Sequence, residues 1–324
     1  MLRNARLFRL QEPLALPPQE LEERLAGRRF RPCGPLETAT LGWSEPLGED
    51  SLALVHASGG CLLLCARRQE RLLPTAVVNE LLQERVAEIE AAEGRSVGRS
   101  ERRRLKEAVT AELLPQAFTR SRRILAHVDT VAGWLVVDAA SERMADDVVT
   151  LLRETLGSLP VALPNPATSP AALMTRWVSQ GHGEAGFALG DACELRDPRD
   201  RQSVVRCRGQ DLAGEEIAKH LEAGKQVVQL ALDWSERLSF TLGEDLSLKR
   251  LRLADELIEE GGMAEAEDAR ARMDAEFTLV SQELRGVIGA LEGLFGLAGP
   301  QPGTSGPAAP AVSDAGAEGV DVPW

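Results

Sequence analysis

The chain has 324 residues, 44% hydrophobic and 27% charged, which provides for two or three packing units, because single cores stop growing near roughly 250 residues. No window approaches the roughly eighteen consecutive apolar residues of a membrane span, and the amino-terminal MLRNARLFRLQEPLALPPQE lacks the apolar run and cleavage site of an export signal, so a cytoplasmic location is expected. A formal charge of −13 excludes a surface that is basic throughout and leaves room only for a local basic field.

In chain order, SLALVHASGGCLLLCARR predicts a β-hairpin about Ser58-Gly59-Gly60, since glycine accepts the positive φ of tight turns. After Pro74, the recurrence of Val78, Leu82, Val86 and Ile89 at spacings of four, four and three predicts an amphipathic helix from Thr75 to Glu93. Gly94 and Gly98 interrupt it. Ser100 reads as the N-cap of a second helix reaching about Leu114, before Pro115, so the two make a helical hairpin. RRILAHVDTVAGWLVVDAA then predicts two strands. SERMADDVVTLLRETLG predicts a helix with Met144, Val148, Leu152 and Leu156 on one face and Gly157 as its stop. LPVALPNPATSP, ending at Pro170, reads as a linker. Beyond it come a helix at EEIAKHLEAG, a β-meander through QVVQLALDW, ERLSFTLG and DLSLKRLRLAD, and a last helix at FTLVSQELRGVIGALEGLF. The expected class is α+β: a β-rich central domain (1–74 and 119–165), an inserted helical hairpin or tip (75–118), an α+β base domain with the meander (166–298), and a disordered Pro/Gly/Ala-rich tail (299–324).

Signals for chemistry are weak. Gly181-His182-Gly183-Glu184-Ala185-Gly186 matches the dinucleotide pattern G-x-G-x-x-G, but without a preceding strand and following helix it reads as a loop. Five scattered cysteines (Cys33, Cys61, Cys65, Cys193, Cys207) imply reduced thiols rather than a disulfide framework. Cys61 and Cys65 on one strand would stand about 13 Å apart, too far for one tetrahedral zinc. His56, His127, His182 and His220 have no ligand at metal spacing, and Asp146-Asp147 and Glu215-Glu216 fall in first turns of helices, where the dipole explains them. No enzyme, cofactor or metal is expected.

The concentrated feature is Gly94 to Arg123, where nine basic residues face three acidic ones, a local charge of +6. Arg95, Arg99, Arg102 and Lys106 follow spacings of four, three and four, so a helix continuing across Gly98 would align them in one stripe with Arg103 at its edge. Arg120, Arg122 and Arg123 extend the patch. Two readings stand: a phosphate-tracking face for duplex DNA, whose charges repeat about every 1.7 Å of axis, or a solvated face paired with Glu84, Glu88 and Glu90. No signature for reading bases is evident. Phe118 follows a helix-ending proline in polar surroundings, so it is either a core residue or an exposed anchor for a partner subunit.

Seven segments in one order, RPCGPLETATLGW, LLPQAFTRSRR, DTVAGWLVVDAAS, LLRETLGSLP, DLAGEEIAKHLEAGK, LALDWSERLSF and SLKRLRLADEL, resemble the recombination-associated RdgC family of proteobacteria over roughly residues 1 to 296. The resemblance implies a non-enzymatic, nucleoid-associated protein that binds DNA without sequence preference, double-stranded above single-stranded, and restrains RecA-promoted strand exchange. It further implies a ring-shaped homodimer that encircles the duplex, with Phe118 at the tip contact and the meander segment at the second contact. DNA contact is then expected from Arg95, Arg99, Arg102, Arg103, Lys106, Arg120, Arg122 and Arg123, and from Arg208 and Gln210 on the base. Gly209 stands where the family pattern places a basic residue, which puts that base contact on Arg206 or Arg208. The runner-up is a protein-interaction module acting directly on recombination or replication proteins. The end, Asp321-Val322-Pro323-Trp324, is similar to the partner-docking end of bacterial single-stranded-DNA-binding proteins. It reads either as an unselected end or as a contact for a replication partner.

Overall fold

The computed structural model describes residues 2–48, 51–260 and 269–297; the predicted tail lies outside them. The class is α+β. The strands are β1 (Asn4–Leu10), β2 (Ala39–Ser44), β3 (Val55–Ser58), β4 (Cys61–Leu72), β5 (Phe118–Asp129), β6 (Trp134–Val137), β7 (Val161–Ala162), β8 (Phe187–Arg196), β9 (Val204–Arg208), β10 (Gln226–Trp234), β11 (Leu238–Gly243) and β12 (Leu248–Leu253). They join in the order β2-β4-β5-β6-β1-β12-β11-β10-β8-β9, with β3 added to β4 and β7 to β1. All the pairings are antiparallel. The helices are α1 (Pro18–Ala26), α2 (Thr75–Glu93), α3 (Arg99–Leu113), α4 (Glu142–Leu156), α5 (Pro170–Gln180), α6 (Glu215–Glu222), α7 (Asp255–Glu260) and α8 (Ala269–Phe295).

Strand β1 makes the sheet continuous. One edge pairs with β6 (Leu7↔Val136) and the other with β12 (Ala5↔Leu248), so its side chains serve two cores. Ala5, Leu7, Trp134 and Val136 pack with α5, α8 and the meander, while Phe8 and Leu10 pack with α1, α4 and the β4–β6 ladder. Helix α4 follows its predicted face and stop, with Val148 and Leu152 fully buried and Gly157 at its end, and Ser141 Oγ caps it by accepting from the Met144 N–H.

The proline-rich segment departs from its reading as a linker, because its backbone polar groups are claimed by the fold. Val161–Ala162 adds to β1 as β7, the N–H groups of Ala167 and Thr168 donate to the Phe295 carbonyl at 2.8 and 3.2 Å, and Pro170 is the first residue of α5, capped by Ser169. Gly181 to Gly186 lies between α5 and β8, the reverse of a phosphate-binding strand-turn-helix. Gly183 is there because a Cβ would sit 2.3 Å from the Phe187 carbonyl oxygen.

Helix α8 straps the sheet through buried charge. Asp129, almost fully buried, accepts from Arg285 Nε at 2.6 Å and from the N–H groups of Val131 and Ala132; burial opposes its ionisation, but these donors outweigh it and hold the carboxyl below the usual range. Next to it His127 is buried, its ring centroid 5.6 Å from that of Phe277 and neither nitrogen hydrogen-bonded. Burial pushes its pKa down to about 4, the Asp129 charge opposing and the Arg285 charge assisting. The unfolded chain takes up this proton near pH 6.5 and the folded chain only near 4, so stability is lost as pH falls through that window, by about 3 kcal/mol in total. In urea unfolding, His127→Leu should flatten the pH dependence between pH 7 and 4; the same pH slope in both proteins would refute this.

Candidate nucleic-acid interface

The basic residues are mounted on one long ribbon. Strands β4 and β5 pair from Cys61↔Asp129 to Leu72↔Phe118, and the α2–α3 hairpin is inserted at the Leu72/Phe118 end. Near the core the ribbon is apolar, with Leu64, Ala66, Ile124 and Ala126 fully buried. Farther out it sets arginine against arginine, Arg67↔Arg123 and Arg68↔Arg122, a like-charge register that destabilises a ladder unless anions or acceptors stand by. Acceptors are supplied one by one. Arg68 Nη1 reaches Asp147 at 2.7 Å, and Arg67 lies over the Phe30 ring at 4.8 Å. Arg123 donates to the carbonyls of Glu45 and Pro46 at 2.6 and 2.9 Å. Arg71 locks the foot of the hairpin, donating to the Leu114, Pro115 and Ala117 carbonyls on one side and to that of Gly34 on the other.

Strand geometry redistributes the predicted β5 arginines. The strand begins at Phe118, earlier than expected, so Phe118, Arg120 and Arg122 share one face while Arg123 points to the other. Arg120 pairs with Glu70, whose carboxyl that contact holds below its ordinary range against a small burial effect. Arg122 donates to the Met144 sulfur at 3.7 Å and its charge helps to lower the Glu70 carboxyl, but it has no ion pair at contact distance among the described residues. Arg120 and Arg122 line a cleft of about 240 Å³ with Arg68 and Arg143, opposed by Glu70 and Asp147. Sequence reading missed Arg68 and Arg143; the available signal was the cluster Arg67-Arg68 on the strand that must pair with β5.

On the hairpin, helix α3 starts at Arg99 with Gly98 as its extended N-cap, which places Ser100 inside the first turn and corrects its reading as the cap. Gly94 ends α2 in the left-handed conformation, so Arg95 lies in the connection and is not part of a helical stripe. Arg95 pairs with Glu93 at 2.6 Å and with Glu101 at 2.8 Å; these hydrogen bonds raise its pKa and lower that of Glu101. Arg103 pairs with Glu107 at 3.1 Å. Both arginines are neutralised, though by other glutamates than Glu84, Glu88 and Glu90. Arg99, Arg102 and Lys106 remain aligned at spacings of three and four, exposed and without an ion pair among the described residues. Phe118 is 84% exposed, beside Leu72 at 43%, which removes the core reading.

The predicted base residues lie elsewhere. Arg208 ends β9, exposed and without an ion pair among the described residues, and Gln210 follows the positive-φ Gly209. Arg206 is engaged by Glu194 at 2.9 Å. Seven strand steps separate β5 from β9 along the sheet path, so the two sets of residues are mounted on different parts of the sheet. No helix among the described residues is long and apolar enough to cross a membrane.

Residues 1–298 match the family model described as "Putative exonuclease, RdgC". The chain belongs to the RdgC family. The resemblance carried by the seven segments therefore holds. RdgC relatives similar to this chain include the "Recombination-associated protein RdgC" of Tolumonas auensis, 43% identical over 91% of this chain and 97% of the relative. Proteins with the same description from Aeromonas hydrophila subsp. hydrophila and Salmonella paratyphi B are each 41% identical over the same shares.

Proposed function

We propose that this protein is a recombination-associated, nucleoid-bound DNA-binding protein that encircles duplex as a homodimeric ring and restrains RecA-promoted strand exchange by occupying the DNA. The observation that carries this reading is the stripe of exposed cations on α3, Arg99, Arg102 and Lys106, with no ion pair among the described residues, in a chain whose total charge is −13. Unpaired cations repel one another, and a polyanion relieves that repulsion through phosphate contact while the acidic remainder opposes indiscriminate association. Arg208 and Gln210 form a second contact on the base, and Phe118 closes the ring against the partner subunit. In this reading the protein works without a cofactor.

The test is affinity against salt concentration on unrelated duplexes and on single strands. Phosphate binding gives similar affinities across duplex sequences, weaker binding to single strands, and a log-log slope near −0.9 per neutralised phosphate. A shallow slope or strong sequence preference would defeat it. The family description points to a second reading, exonuclease activity. Release of nucleotides from end-labelled duplex in the presence of Mg²⁺ or Mn²⁺ would put that reading first.

A further inference from the structure

Away from the ribbon, the fold joins two cysteines that the sequence leaves far apart. Cys193 on β8 and Cys207 on β9 are directly opposed in the antiparallel register. Directly opposed residues of an antiparallel pair have Cα atoms about 4.5 or 5.5 Å apart, within the roughly 4.4–6.8 Å that a disulfide spans, so the Cα spacing of the register suits a bond. Both side chains belong to the same face: Cys193 is part of the core, and Cys207, half-buried, packs on it beside Val205. Arg206 and Arg208 occupy the other face of β9.

Access and asymmetry complete the site. Strand β9 ends the sheet path, so Cys207 is approached from an open edge. Of the two thiols, Cys207 is only half-buried at that edge whereas Cys193 is buried, so Cys207 is the one a small solute reaches. Burial, reinforced by Cys207, pushes the Cys193 thiol up to about 12, so Cys193 stays protonated and Cys207 meets the oxidant first. The remaining cysteines are not so placed. Cys61 and Cys65 lie four apart on one strand, and Cys33 is engaged with the Gln69 carbonyl at 3.2 Å.

We infer that Cys193 and Cys207 form an oxidative modification site, a dithiol that closes to a disulfide when the protein meets hydrogen peroxide. The Cys207 thiolate attacks one peroxide oxygen; the S–O bond forms, the O–O bond breaks, and the departing hydroxide leaves as water after protonation. The Cys193 sulfur then attacks the Cys207 sulfenic acid, forming the S–S bond and breaking S–O, and its proton leaves with the hydroxyl as a second water. Two thiols and one peroxide thus give one disulfide and two waters, and a dithiol reductant reverses the change. The edge strand that carries Arg206 and Arg208 becomes covalently fixed to β8.

To test this, reduced full-length protein is treated with hydrogen peroxide, alkylated, digested and analysed by mass spectrometry. The expected product is one intrachain link between the peptides holding Cys193 and Cys207, a loss of about 2 Da, with Cys33, Cys61 and Cys65 still alkylated and the link removed by dithiothreitol. Amide exchange across Val204–Arg208 should slow on oxidation, and Cys207→Ala, a change at a half-exposed edge position, should abolish both effects. Conversion of Cys207 to sulfinic acid without a link, links between chains, or alkylation of both cysteines after peroxide would each overturn the inference.

Discussion

Replacing Arg99, Arg102 and Lys106 together by glutamate should lower duplex affinity by about tenfold or more near 0.1 M salt and make the log-log salt slope shallower by about three, if each cation neutralises one phosphate. The effect on folding should be small. All three side chains are exposed without ion pairs among the described residues, and the buried residue of α3, Val109, lies one turn beyond Lys106. The structure supplies its own control. Arg95 and Arg103 lie in the same stretch but are already satisfied by Glu93, Glu101 and Glu107, so charge reversal there should change the slope much less. Filter-binding or fluorescence-anisotropy titrations across a salt series on two unrelated duplexes would measure both. An unchanged slope in the triple variant would remove these residues from the interface. Equal losses in the triple and control variants would reduce the effect to net charge.

Phe118→Ala should weaken self-association on the order of thirtyfold while leaving the fold nearly unperturbed. An aromatic anchor in a partner's pocket commonly contributes about 2 kcal/mol or more to assembly, whereas truncating an 84% exposed side chain changes stability by roughly 0.5 kcal/mol or less. Sedimentation velocity over a dilution series gives the first quantity and urea unfolding at high protein concentration the second. Dimerisation as tight as the parent's would show that Phe118 makes no such contact, and loss of folding would mean that its role lies within the subunit.

Much of this was readable from local pattern. The apolar periodicity of Val78, Leu82 and Val86 marked α2 to its observed limits, and Val148 and Leu152 with Gly157 as the stop marked α4, because a helix's face and cap are set by residues within a turn or two. The alternation through Leu230, Leu232, Leu238, Phe240 and Leu242 marked the meander for the same reason. Helix α5 carried the signal Ser169-Pro170 followed by Ala171, Met174 and Val178, but the prolines upstream drew the reading toward a linker.

By itself, then, the sequence determined an α+β chain of the RdgC family, most of its helices, and a local charge of +6 within an acidic whole. Only the tertiary structure decided that β1 serves two cores, that Arg123 turns away from Arg120 and Arg122, that Arg71 fastens the hairpin, and that Cys193 meets Cys207. The physical reason is the range of the interactions. Helical faces and caps are settled among neighbours in the chain. Strand pairing, the acceptors that neutralise one arginine and leave another free, and contact between distant cysteines are settled by burial shared among segments far apart in sequence.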